Sequence, residues 1–94
     1  MDLTPSNPEA LRSTLRALVE QEPSSQEEFQ ALEAECVALA RHIAQTQGLG
    51  TYMPEIVWHW LSDADIRFKE PEYRSMQNQQ LTLALQAWES ESAA

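Results

Sequence analysis

Phe29-Gln30-Ala31-Leu32-Glu33-Ala34-Glu35-Cys36-Val37-Ala38-Leu39-Ala40-Arg41-His42-Ile43 is the stretch that decides the fold class. Phe29, Leu32, Cys36, Leu39 and Ile43 recur at alternating spacings of three and four, which lines them along one side of a helix. Ser25 and Glu28 form a capping box ahead of it. The early acids sit near the positive end of the helix dipole. Gly48 suits the C′ position. The spacing predicts a helix over 25–47, about 33 Å long at 1.5 Å per residue. The stripe spans little more than two heptads, short of the three to four that argue a coiled coil. It reads as a core helix of an antiparallel bundle. An intermolecular seam is the alternative, and a homodimer stays open.

The flanking sequence repeats the helical signals. Ser6-Asn7-Pro8-Glu9 fits another capping box with proline in the first turn. Leu11, Leu15, Leu18 and Val19 follow at helical spacing, until Glu22-Pro23 ends the run. Pro54 opens a third helix in which Ile56, Val57, Trp60, Leu61 and Ala64 share a face. Pro71 opens a fourth, where Met76, Leu81, Leu85 and Trp88 make a looser stripe and Asn78, Gln79 and Gln80 face solvent. Helices are expected near 7–21, 25–47, 54–62 and 71–89. Between 63 and 70 the alternation of Ala64, Ile66 and Phe68 with Asp65, Arg67 and Lys69 has period two. A hairpin of Ile56–Leu61 with Asp65–Lys69 is therefore the competing reading. The expected fold class is all-α, a small three- to four-helix bundle, with α+β carrying a short hairpin at about 56–69 as the alternative. One domain over 1–94 is expected, frayed at about 1–5 and 90–94.

Composition narrows the function classes. Two glycines in 94 residues argue against an all-β fold. The formal charge of −9 disfavours nucleic acid and anionic lipid, since phosphates are repelled. Cys36 is the sole cysteine, so no internal disulfide forms. No apolar stretch approaches the roughly 20 residues of a membrane span. The N-terminus lacks the basic and apolar regions of a secretory signal. A cytoplasmic location is expected.

Motifs for chemistry are scarce. Cys36 lies within the apolar stripe, where burial makes a thiol a small hydrophobe. His42, six residues on, points to another side of the helix. No nucleophile elbow, phosphate loop or dinucleotide fingerprint occurs. No enzyme activity and no cofactor are expected. Glu55, His59 and Asp63 would share one face of an unbroken helix, so a small metal-binding protein or enzyme centred there is the alternative. That spacing is also an ordinary surface pairing.

Five of the seven aromatic residues fall between Tyr52 and Tyr73. Trp58-His59-Trp60 is the centre of that segment, and Arg67, Lys69 and Arg74 hold half of the chain's positive charge. Trp, Tyr and Arg are the residues enriched at binding hot spots. On a helix, residues two apart point about 200° from each other, so Trp58 and Trp60 cannot both be core. On a strand they would share a face. The expected function is a protein–protein interaction module, an adaptor, assembly factor or regulatory subunit. Its expected partner-binding residues are Trp58, His59, Arg67, Lys69, Tyr73 and Arg74, and its partner is an unspecified protein.

Overall fold

Five helices and no strand make up the protein in a computed structural model that describes residues 3–93, with side chains to 91. They are α1 (Pro8–Val19), α2 (Gln26–Gln45), α3 (Glu55–Ser62), α4 (Ala64–Lys69) and α5 (Pro71–Ala93). The hairpin alternative is excluded, because both of its proposed strands are helical. The 63–70 connector is instead the short helix α4. Period-two alternation over six residues does not separate strand from helix, and tertiary packing settles it.

The long helices α2 and α5 are bridged by the short pair α3 and α4, which pack against both. α1 packs chiefly on α5. One core joins them, built from Leu11, Leu15 and Leu18 of α1, Leu32, Cys36, Leu39 and Ile43 of α2, Val57, Trp60 and Leu61 of α3, and Leu81, Leu85 and Trp88 of α5. The whole α2 stripe except the half-buried Phe29 is consumed in this core. An intermolecular seam on that stripe is thus ruled out.

The α1 cap lies one residue from where the sequence places it, and the α2 cap lies where the sequence places it. Asn7, not Ser6, caps α1, and its Oδ1 accepts from the Ala10 amide at 2.8 Å. Pro8 then occupies N1, where its missing N–H is harmless. Ser25 caps α2 by accepting from the Glu28 amide at 3.2 Å. Glu28 reaches back not to Ser25 but to the amide and hydroxyl of Ser24, at 2.6 and 3.0 Å. Those donors, the amide of Ser24 foremost, hold the Glu28 carboxyl below the ordinary glutamate value. α2 ends at Gln45 with an extended Thr46. Gly48 (φ +83°) therefore serves the following turn rather than the helix end.

Pro5 is buried, and its carbonyl oxygen lies 2.8 Å from His42 Nε2. Only a donor satisfies that carbonyl, so Nε2 carries the proton. At the other end α5 continues to Ala93. Met1, Asp2 and Ala94 lie outside the described residues.

The shifted cap has a measurable consequence. Asn7→Ala is expected to lower stability by about 1 kcal/mol. Ser6→Ala, at an exposed position outside the helix, is expected to leave the urea midpoint unchanged. The reverse order would place the cap at Ser6.

Candidate functional site

The aromatic segment splits at α3. Trp60 is fully buried, and its indole N–H donates to Asn78 Oδ1 at 2.8 Å. Trp58, on the opposite face, is 38% exposed. The helical geometry of two tryptophans two residues apart is thus realised. Trp58 is not free of the protein, however. Its ring approaches Gly50 in the α2–α3 loop, where any Cβ would lie 3.9 Å from the indole and 3.0 Å from Ile43 Cγ2. His59 and Glu55 are exposed on the same helix.

Arg67 overturns its sequence reading as a surface contact. Its side chain is only 3% exposed. The guanidinium carbon lies 3.9 Å from the centroid of a Trp60 ring. One nitrogen donates to the Trp60 carbonyl and, at 2.6 Å, to Gln77 Oε1. The other faces Cys36 Sγ at 4.0 Å. Ala64 and Arg67, three positions apart, share the inward side of α4. Burial pushes the guanidinium below its ordinary value, although arginine stays charged throughout the range in which proteins fold.

The charge is answered at one remove. Gln77 Nε2 donates to Asp63 Oδ2 at 2.9 Å, and Tyr73 donates to the same oxygen at 2.8 Å. Gln77 thus relays between the arginine and a carboxylate with both ends of its amide. The Tyr73 hydroxyl chiefly, with Gln77, holds the Asp63 carboxyl below the usual aspartate value. The same bond to Asp63 raises the Tyr73 phenol.

This geometry bears on two chemical readings. Asp63 ends α3 and turns toward α5, so Glu55, His59 and Asp63 do not form one face. Among the described residues no group of three or more histidine, cysteine, aspartate or glutamate side chains is placed to hold a metal ion. Burial raises the Cys36 thiol to about 11, against the pull of Arg67, so it is protonated at neutral pH. His42 is engaged with Pro5, not with Cys36.

The remaining expected contact residues gather at the α4–α5 corner. Arg74 is half-buried with its guanidinium 5.4 Å from the Phe29 ring. Phe29 meets Phe68 edge-on at 4.7 Å. Lys69, Glu70, Pro71, Glu72, Tyr73 and Met76 line an open surface groove. Trp58 belongs elsewhere: it neighbours Ile43, whereas Phe68 rests on Phe29. Those two α2 residues are fourteen positions apart, about 21 Å along the helix. Trp58 and the corner are separate surfaces.

Three features of the corner escape the sequence reading. The apolar stripe puts Met76 inside and ignores Gln77, but Gln77 is buried and Met76 exposed. Asn78, expected at the solvent face, is half-buried under Trp60. Ile66 is exposed beside the buried Arg67. The adjacent pair Gln77-Asn78 inside an apolar run is the available signal for a buried polar network.

No protein family model matches this chain, and neither curated proteins nor solved structures include one significantly similar to it. No helix is long and apolar enough to cross a membrane among the described residues.

Arg67→Ala is expected to lower stability by about 3–5 kcal/mol, because it opens a cavity and strands the polar atoms of Gln77 and Trp60. Arg67→Lys keeps the charge but loses the flat stack and the two-way donation, so it too is expected to destabilise. Wild-type stability in either variant would remove the network's structural role. The Asp63 bonds add a pH dependence of known sign. The unfolded carboxyl titrates near pH ~3.9 and the folded one lower. Its contribution is therefore complete above about pH 4 and lost as pH falls through the folded value. Tyr73→Phe is expected to weaken this acid-side slope in urea titrations from pH 2 to 7, and an unaltered slope would detach Tyr73 from Asp63.

Proposed function

We propose that this protein is a protein–protein interaction module that uses the α4–α5 corner to hold a cationic segment carrying an apolar anchor. The observation that carries the reading is the exposure of Ile66 at 37% on a six-residue helix rimmed by acids, with Phe68, 38% exposed, on the other flank against Phe29. Asp65, Glu70 and Glu72 are exposed around them. The basic character seen in the sequence does not reach this surface. Arg67 is buried, Arg74 leans on Phe29, and only Lys69 points outward.

Two general arguments support a cationic partner. A chain at −9 steers positive charge toward itself at long range. Apolar side chains on a rigid base bind with little loss of side-chain freedom. The buried Arg67 supplies that base, since α4 cannot rotate without breaking its bonds to Trp60 and Gln77. Lys69 and Tyr73 stay within this contact surface. Trp58 and His59 fall outside it.

The test uses an 18-residue amphipathic leucine–lysine peptide as probe and amide chemical shifts as readout. Shifts concentrated between residues 64 and 76 are expected. Ile66→Ser removes most of one apolar contact, and about a tenfold loss of affinity is expected. Glu70→Lys should weaken binding and flatten its salt dependence. Shifts spread over Glu27, Glu28 and Glu33 of α2 would mean non-specific charge attraction and would sink the reading.

A further inference from the structure

Two of the chain's six bases line one small interior cavity of about 20 Å³. Each helix lends it at least one side chain. Leu18, Leu32, Trp60 and Ala64 form apolar walls, and Arg67, Arg74 and Asn78 bring polar groups. No aspartate or glutamate lines it, although the chain holds 15 acids against 6 bases. A single water-sized particle needs roughly 10–15 Å³, so the space admits one small occupant.

These polar side chains retain donors. One nitrogen of Arg67 bonds the Trp60 carbonyl and Gln77, and another meets only Cys36 Sγ at 4.0 Å, a weak acceptor. A guanidinium carries more N–H groups than these contacts use. Asn78 gives its Oδ1 to the Trp60 indole, which leaves Nδ2 as its donor. The Arg74 guanidinium stands 5.4 Å from the Phe29 ring and makes no side-chain hydrogen bond or ion pair among the described residues. We infer that the cavity binds one monatomic anion, of which chloride is the abundant example. Such an ion accepts from all three residues and brings the negative charge that no carboxylate brings to either arginine directly.

The size and the field of the protein set the selectivity and the strength. A polyatomic anion such as sulfate exceeds the space. The net charge of −9 opposes an anion at long range, but salt at about 0.1 M screens charges more than roughly 10 Å apart, while contacts inside the cavity are screened far less. A surface groove between the α1–α2 loop and the start of α5 shares Val19, Gln21, Pro23, Arg74 and Asn78 with the cavity, which gives an ion a way in. Glu20 and Glu22 stand along that groove and hold the affinity in the millimolar range.

The chloride NMR linewidth tests this, because exchange with a bound ion broadens the signal of the free one. In about 0.1 M sodium chloride the protein is expected to broaden the line. Added bromide should narrow it again, and sulfate at matched ionic strength should not. Arg74→Gln removes one charge at a half-buried position and should weaken chloride about tenfold. Arg41→Gln, at an exposed position on α2, should leave the broadening unchanged. A bromide-soaked crystal should show an anomalous peak between Arg67, Arg74 and Asn78. No broadening, or broadening that survives Arg74→Gln, overturns the proposal. So does an equal loss in Arg41→Gln, which means diffuse surface attraction, or a water in the cavity of the bromide crystal.

Discussion

A single buried arginine constrains this fold. Arg67 lies on the shortest helix, yet it touches the neighbours that matter: the Trp60 ring and carbonyl in α3, Gln77 in α5 and Cys36 in α2. Burying a guanidinium costs several kcal/mol unless its donors are met. Here they are met by a carbonyl, an amide and a thiol, with an aromatic face beneath. No carboxylate touches it directly. Asp63 contributes through Gln77, so the negative partner stays near the surface while the positive one is interior. A desolvated cation over an indole is worth about 2 kcal/mol or more, which offsets part of the burial cost.

The same network explains where sequence reading stops. Apolar periodicity located α1, α2, α3 and the body of α5, because each buries a stripe of uniform character. It failed on α4, where an arginine joins Ala64 on the inward side and isoleucine and phenylalanine join Asp65 and Lys69 on the outward side. Binary patterning assumes charge outside and hydrophobes inside, and Arg67, Ile66 and Phe68 break that rule. Met76 and Gln77 exchange places for the same reason: the buried arginine needs an amide at that point of α5. The caps were legible to within one residue, since Asn7 and Ser6 are both competent and backbone geometry chooses between them. The opposed tryptophans were legible because only the helical period was needed. The candidate surface was not, because its composition changes once Arg67 and Arg74 turn inward.

Charge is therefore sorted more sharply in the folded protein than in the chain. Arg16 pairs with Glu89, Arg12 lies over Trp88, and Arg74 lies beside Phe29. Aromatic and carboxylate partners hold most of the scarce bases against the body of the bundle. Most of the acids are left facing water. The molecule's exterior is more negative than a formal charge spread evenly would suggest.

The pairing of α1 with α5 joins the first helix to the last. On a ribosome, Leu11, Leu15 and Leu18 emerge early and lack their principal cover until Trp88 has been added. Seventy residues separate Leu18 from Trp88, which is roughly 4–14 s at 5–20 residues per second. During that interval the nascent chain displays a leucine-rich amphipathic helix with no mate. Its synthesis thus includes a window in which a chaperone has something to hold, and that window closes only when the last helix arrives.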